Sequence, residues 1–373
     1  MLRTLGDEMA GGDSVLFLQR RAGRAGAQSC LFRLMRADRA AGGRPVLVTA
    51  AKGWLTEACG AADVPVETLP FPSSRSLTGR LWGNRLWARW LAASLARRGW
   101  NPTMVVGNDH QESLLTRALA GALSVPSGVI LRSSGMTARD FTKYECGRHA
   151  AIFAIGDDFL DRVRAFPGGE RALPLADGLA DEDFLAAPPL STTFPDRALV
   201  LGTPHPDKGW SDLLQALERL PTDAPARRLR LDFTAVPTDA ERAALGLDRF
   251  DLSRCRFLER TDDFAARLAD YGLVINASRR ETFGMAALEA LAAGRVLVSS
   301  GTCVIERALH EPRLLFRPAD VEGLTAVLAG LPTVWNALGP EIDASRQRIR
   351  ATFGISAALS LFRAGIASAV GRS

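Results

Sequence analysis

The sequence predicts an α/β protein made of two consecutive parallel-sheet units, with its ligands bound in a cleft between them. Three observations carry this reading. Short apolar runs rich in Val, Ile and Leu alternate with longer stretches of helical periodicity, which is the pattern of βαβ units. The alternation is interrupted at residues 186–195 (AAPPLSTTFP), where Pro, Ser and Thr supply linker chemistry. Then it begins again. A chain of 373 residues is long enough for two separate cores.

Taken in order, residues 15–19 form the first strand, followed by a turn carrying Gly23 and Gly26 and a helix that runs through Leu34. Residues 45–50 and 64–69 are the next strands. A long helix over 77–98 precedes a strand at 104–107, a helix at 114–123 and a strand at 128–131. A strand at 151–155 and a helix at 157–165, opened by Asp157 and Asp158 as caps, follow. After the linker come strands at 198–201, 228–233, 256–258, 272–276 and 296–299, with helices at 210–220, 261–269 and 285–293. The domains so defined are 1–190 and 191–350, with a terminal helix over 351–373 that packs back on the first. Ligands of such sheets bind at the carboxyl ends of the strands.

Composition excludes several classes. The chain is 47% hydrophobic and 23% charged, as soluble globular proteins are. Its first fourteen residues hold Asp7, Glu8 and Asp13 and no apolar core, so no secretory signal is expected. No uninterrupted apolar run reaches the roughly 18 residues of a membrane span, and the expected location is the cytoplasm. The five cysteines are scattered without a CxxC pair, and the four histidines lack an HExxH spacing. Neither a disulfide framework nor a metal site is expected, and no cofactor.

Charge is unevenly placed. Residues 14–148 hold nineteen Arg or Lys against eight Asp or Glu, which suits an anionic acceptor, an anionic membrane surface or nucleic acid. Residues 80–100 (RLWGNRLWARWLAASLARRGW) carry four tryptophans and five arginines. Such a helix either lies on an anionic membrane or packs on the sheet as an ordinary element. No recognised nucleic-acid module accompanies it, so a nucleic-acid partner is not expected.

The most informative stretch is residues 279–298, RRETFGMAALEALAAGRVLV. A strand ends before it, a loop carries Glu281 and Gly284, and a helix starts near Met285. Free N–H groups at that helix start receive an anion, and a carboxylate at Glu289 on the helix face accepts two vicinal hydroxyls of a ribose. For a single Glu at a helix start, an acidic cap and a surface side chain would be the ordinary reading.

The surroundings favour the functional one. Glu281-TFGMAAL-Glu289 resembles the Glu-x7-Glu motif of retaining GT-B glycosyltransferases of family 4 (glycosyl transferases group 1). LGTPHPDKG at 201–209 resembles that family's Gly-rich strand end followed by Lys-Gly. ADGLADEDF at 176–184, SSGTCVIE at 299–306 and LFRPAD at 315–320 resemble three further segments, in the family's order. The first half matches by architecture.

The resemblance implies a GT-B fold of two Rossmann-like domains. It implies a metal-independent, retaining transfer of a sugar from a nucleotide-diphosphate sugar to a glycan or lipid-linked acceptor, in bacterial surface polysaccharide or lipopolysaccharide synthesis. Glu289 would hold the ribose, and Glu281 the donor sugar, assisted by the backbone of Phe283, Gly284 and Met285. Lys208 would neutralise the diphosphate leaving group, with Gly202 letting the chain approach it. Many relatives carry an Arg after that glycine where this chain has Thr203, and Arg279 or Arg280 is the expected replacement. Many also place a His after the strand at 128–131, where this chain reads Arg132-Ser133. His110 is then the expected catalytic imidazole, with Asp109, Arg132, Ser133 and the Gly23/Gly26 turn on the acceptor side. Association with the inner face of the membrane would bring in a lipid-linked acceptor. A nucleotide-sugar 2-epimerase, a phosphorylase and a non-catalytic nucleotide-binding relative are the competing readings. The phosphorylase lacks a recognisable phosphate or pyridoxal site.

Overall fold

The structure is a computed structural model that describes residues 14–72, 82–184, 188–261 and 263–371. The expected helical residues 77–81, the charged residues of the first thirteen positions and the first two linker residues lie outside these. The chain divides into two compact units: unit 1 comprises residues 1–178 and 355–373, and unit 2 comprises residues 179–354. The division falls upstream of the Pro-rich segment because the chain joins unit 2 as soon as Leu179 N–H donates to Phe353 O.

Unit 1 runs β1 (Ser14–Gln19), α1 (Gly26–Ala40), β2 (Arg44–Thr49), α2 (Trp54–Ala61), β3 (Val66–Thr68), α3 (Asn84–Arg97) and β4 (Met104–Gly107). It continues with α4 (Ser113–Leu123), β5 (Ser127–Leu131), α5 (Ala138–Lys143), β6 (Ala151–Ile155), α6 (Asp157–Arg164) and β7 (Leu173–Leu175). Strands β1, β4 and β6 are buried along their whole length, so they read as continuous apolar runs rather than alternating ones. The seven strands are parallel in the order β3-β2-β1-β4-β5-β6-β7. Asp157 and Asp158 do not cap α6. The cap position is Gly156, without a side-chain bond, and the two carboxylates sit in the first turn, where they complement the helix dipole.

Unit 2 runs β8 (Arg197–Val200), α7 (Trp210–Arg219), β9 (Arg230–Phe233), α8 (Asp239–Leu245), β10 (Cys255–Phe257), α9 (Phe264–Ala269) and β11 (Leu273–Asn276). After these come α10 (Met285–Ala292), β12 (Val296–Ser300), α11 (Ile305–Leu309), β13 (Leu315–Phe316), α12 (Val321–Val334) and α13 (Gly339–Phe353). Its six parallel strands are ordered β10-β9-β8-β11-β12-β13. Trp210, Phe233 and Phe257 form an aromatic core on one side, with Trp210 and Phe233 centroids 4.7 Å apart.

The last helix, α14 (Ile355–Val370), returns to unit 1. Phe362 stacks between Phe17 and Phe153 at 5.6 and 5.4 Å, and Arg363 Nε donates to Asp38 Oδ1 at 2.8 Å. Gly365 makes this seat possible, since a Cβ there would lie 2.5 Å from the Phe153 ring. Among the described residues no helix is long and apolar enough to cross a membrane.

Both sheets reverse direction of winding once: between β1 and β4 in unit 1, and between β8 and β11 in unit 2. At such a point the loops leaving two adjacent strands diverge to opposite faces, and their carboxyl ends are left open to a ligand. All the polar chemistry described below gathers at these two places.

Candidate functional site

In unit 2 the loop after β8 and the loop after β11 meet through two ion pairs, Lys208–Glu281 and the more exposed Arg280–Asp207. Lys208 Nζ donates to Glu281 Oε1 at 2.7 Å, with both side chains largely buried. The same carboxylate oxygen lies 2.7 Å from Ser278 Oγ, whose hydroxyl is also 2.8 Å from Asn276 Oδ1. One hydroxyl proton faces two acceptors, so Ser278 can release Glu281 without losing a hydrogen bond. Asn276 is held in turn by Ser299 Oγ at 3.2 Å.

Two glycines bring the lysine there. Gly202 sits at φ +118°, and a Cβ would lie 2.9 Å from the Cβ and Cγ of Lys208; the lysine stem occupies the space a side chain would take. Gly209, at φ +65°, closes the short turn Pro206–Lys208 against the backbone of Ala277, whose carbonyl would lie 2.0 Å from an added Cβ.

Helix α10 starts beside the pair. Gly284 is its N-cap at φ +86°, no side chain caps it, and its first turn holds no acidic residue. The leading N–H groups of a helix have no intrahelical acceptor, so this end is suited to an anion. Glu289 lies one turn further along α10, half-buried like Met285 on the same face. Phe283 is buried edge-on against Phe353 and offers its backbone rather than its ring. Thr203 is exposed on the loop after β8.

The two arginines expected to replace a basic residue at Thr203 are already engaged. Arg279 forms a bidentate pair with Asp212 on α7, at 2.7 and 2.6 Å. Its backbone N–H donates to Asp207 O at 2.7 Å. This arginine fastens the loop to α7. Arg280 is exposed and donates to Asp207 Oδ2 at 2.6 Å; the pair leaves the Asp207 carboxyl below its usual range. Arg280 is the more exposed of the two, at 71% against 44%, and holds its partner through a single nitrogen.

In unit 1 a second polar cluster lies at the open end of β1 and β4. Asp109 adopts φ +149°, ψ 169°, a region that residues with a side chain rarely enter and that costs roughly 1–3 kcal/mol. The conformation aims its carboxylate at several donors. Oδ1 accepts from His110 N–H at 2.8 Å and faces His110 Nδ1 at 3.0 Å, while Oδ2 accepts from Ser133 Oγ at 2.5 Å. Burial alone would raise the Asp109 carboxyl, but His110 and Ser133 outweigh it and the net shift is down. For His110 burial alone would lower the imidazole, and the hydrogen bond and charge of Asp109 reverse it to a net rise. The ring stands edge-on to Tyr144 at 5.1 Å.

Arg132 belongs beneath this cluster, not on an acceptor surface. Its guanidinium is buried, donates to Asn108 Oδ1 at 2.7 Å and is paired with the equally buried Asp177. Asn108 passes the order on to β1 through Gln19 Oε1 at 2.6 Å. Sequence reasoning gave Glu112 no role and singled out Asp177 only as part of the 176–184 segment, not as a partner of Arg132. Glu112 is buried, accepts from Arg20 N–H at 3.2 Å and so ties the loop after β1 to the loop after β4. Burial first, then the Asp109 charge, pushes its carboxyl up to about 8. Gly23 and Gly26 are exposed, and a Cβ at either would meet nothing within 4 Å. Open space, rather than backbone strain, is what these two glycines provide. Among the described residues no group of three His, Cys, Asp or Glu side chains could hold a metal ion.

Residues 195–333 match the family described as Glycosyl transferases group 1. No match is found among curated protein sequences. Solved structures resemble the whole chain. The Anabaena protein Alr3699/HepE in complex with UDP and glucose superposes with a TM-score of 0.76 at 15% identity, covering 95% of this chain and 100% of that one. A glycosyltransferase from Rickettsia africae gives 0.77 at 13% identity, covering 97% and 100%. The lipopolysaccharide outer core galactosyltransferase WaaB gives 0.65 at 14%, covering 95% and 99%. The fold is therefore GT-B, with two Rossmann-like units.

Proposed function

We propose that the chain is a retaining, metal-independent glycosyltransferase that takes its sugar from a nucleoside diphosphate sugar bound in unit 2. The observation that carries this is the Lys208–Glu281 pair set beside the uncapped start of α10 at the switch point of the sheet. Each partner neutralises the other and each is suited to a different part of the donor. The diphosphate takes the ammonium and the leading N–H groups of α10, and the carboxylate, freed toward Ser278, accepts from sugar hydroxyls. Loss of a nucleoside diphosphate develops negative charge on the leaving group. A fixed ammonium at that oxygen stabilises the transition state more than the ground state. Arg280 adds a second cation by leaving Asp207, and Glu289 holds the ribose.

The acceptor we assign to unit 1, where the Asp109–His110 pair and Ser133 form a polar group next to the open Gly23/Gly26 turn. His110, held by Asp109, positions or deprotonates the acceptor hydroxyl. The acceptor is a glycan or lipid-linked saccharide of surface polysaccharide or lipopolysaccharide synthesis, met in the cytoplasm. The match of residues 195–333 to group 1 glycosyl transferases supports the reading, as does the fold shared with structures described as bound to UDP and UDP-glucose.

The test is a thermal-shift series with UDP, GDP, ADP and CMP on the wild type, Lys208→Ala and Glu289→Ala, followed by turnover of sugars of the nucleotide that binds. One nucleoside diphosphate should raise the Tm. Lys208→Ala should weaken the diphosphate about 10- to 100-fold while sparing the monophosphate, as expected for a lost charge-assisted hydrogen bond. Glu289→Ala should weaken both. If no nucleotide shifts the Tm, or if Lys208→Ala leaves the diphosphate-to-monophosphate ratio unchanged, the reading is wrong.

A further inference from the structure

Helix α3 buries one face and leaves the other bare. Asn84, Ala88, Leu91, Ala92 and Leu95 are buried, the last four of them in a core built with β1, β2 and α4. Trp87 is also turned inward: its indole N–H donates to Pro70 O at 2.9 Å and its ring meets Phe71 edge-on at 5.3 Å. The opposite face is of another kind. Trp82, Leu86 and Trp90 are 68%, 63% and 53% exposed, the three most exposed large hydrophobic side chains among the described residues.

These three recur at every fourth residue. At about 100° per residue, Leu86, Arg89, Trp90, Ala93 and Arg97 of α3 fall within an arc of roughly 100°, with Arg85 at its border, and Trp82 stands in the turn two residues before the helix. The stripe and the turn before it thus present two indoles, a leucine and three arginines. Scattered apolar side chains need no partner, but an aligned set of this size on an otherwise polar helix face does.

Charge decides what the partner is. Between Glu67 and Asp109 the sequence contains six arginines and no acidic residue. Arg98 is taken by Glu67, whereas Arg85, Arg89 and Arg97 pair with no carboxylate among the described residues. A second copy of this chain would set arginine stripe against arginine stripe. A surface of anionic headgroups over an apolar interior matches both halves of the face. Indoles sit at the boundary with their N–H groups toward water, and arginines reach the phosphates beside them.

We propose that α3 is a membrane-surface anchor: it lies flat on a bilayer containing anionic phospholipid, with Trp82, Leu86 and Trp90 inserted below the headgroups and Arg85, Arg89 and Arg97 paired with them. Fourteen residues give a helix about 21 Å long, enough for a shallow attachment and not for a crossing. The binding is reversible and sensitive to salt, because much of it is screened electrostatics. This inference does not depend on the donor chemistry of unit 2, which is measured without lipid.

The test uses the full chain sedimented with vesicles of phosphatidylcholine alone and of phosphatidylcholine mixed with phosphatidylglycerol. The protein should pellet with the anionic vesicles and be released by salt. Arg85→Gln, Arg89→Gln and Arg97→Gln should each weaken partitioning about fivefold, the effect of one basic residue at an anionic surface. The triple change Trp82→Ser, Leu86→Ser, Trp90→Ser should abolish it and leave the melting temperature in place, since all three side chains are outside the core. For the unmodified protein, tryptophan emission should move to the blue on anionic vesicles and be quenched by lipids brominated in the acyl chain. Wild type that stays in the supernatant, variants that pellet equally, or emission that brominated lipid leaves untouched would overturn the proposal. So would a dimer of the wild type that the triple change dissociates, which would make a second copy the occupant of the face.

Discussion

Two buried groups in unit 1 should give this protein a stability optimum on the acid side of neutrality. Glu112 holds its proton to about pH 8 in the fold, against an ordinary carboxyl value of 4.5. His149 is buried by unit 1 and, by burial first and then by Arg117 and Arg171, resists protonation down to about pH 3, against an ordinary 6.5. Its hydrogen bonds identify the neutral ring. Ser113 Oγ gives its proton to Tyr144 O at 2.6 Å, so it accepts from His149 Nε2–H at 2.8 Å, and Ser127 Oγ donates to Nδ1 at 2.9 Å.

The signs follow from proton counts. Between pH 4.5 and 8 the folded chain holds one more proton than the unfolded chain at Glu112, and stability falls with rising pH by about 1.4 kcal/mol per unit. Between pH 3 and 6.5 the folded chain holds one fewer at His149, and stability rises at the same rate. From 4.5 to 6.5 the two cancel. On the alkaline limb, from 6.5 to 8, Glu112 contributes about 2 kcal/mol, and His110, whose imidazole is raised above 6.5, adds to the fall in the same sense. Glu112→Gln keeps an oxygen for Arg20 N–H and removes this titration, so its profile over that limb should lose the Glu112 part of the slope and keep only the part due to His110. The assay is urea unfolding at half-unit pH steps, followed by tryptophan emission; five of the seven tryptophans (54, 82, 87, 90 and 100) belong to unit 1. An alkaline slope equal in wild type and Glu112→Gln would refute the argument.

Two further outcomes follow from the geometry of the site. Asp177→Ala strands the buried Arg132 guanidinium and should destabilise unit 1 by about 3–5 kcal/mol, whereas the joint change Arg132→Met, Asp177→Leu should recover most of that in chemical denaturation. Gly209→Ala forces a left-handed residue and a Cβ against Ala277 O, and should cost at least about 2–4 kcal/mol; a melt within a degree of wild type would show that the Pro206–Lys208 turn is not fixed as described.

Much of this molecule is visible along the chain. Strands β1, β4 and β6 are runs of apolar residues buried on both faces, and such runs need no partner to be recognised. The loop before α10 is legible for a related reason: a glycine N-cap, a carboxylate three residues before it and another five residues after it are all set by spacing along one backbone. Lys208 stands out in a chain with three lysines.

What the sequence left open was decided where distant segments meet. Arg132 reads as a ligand-facing residue until Asp177, forty-five positions away, is folded beneath it. Arg279 and Arg280 are adjacent and equivalent as letters, yet one is locked bidentate to Asp212 on α7 and the other is left exposed on Asp207. Glu112 looks like a surface carboxylate just ahead of a helix, and only the closure of the loop after β1 over it makes it an acid that keeps its proton. The terminal helix returns to unit 1 because Phe362 finds Phe17 and Phe153 and Gly365 leaves room for the contact. Periodicity and capping act within a few residues and are therefore written in the order of the letters. Burial, ion pairing and the shift of a proton depend on distance in space and on water removed, which the fold alone determines.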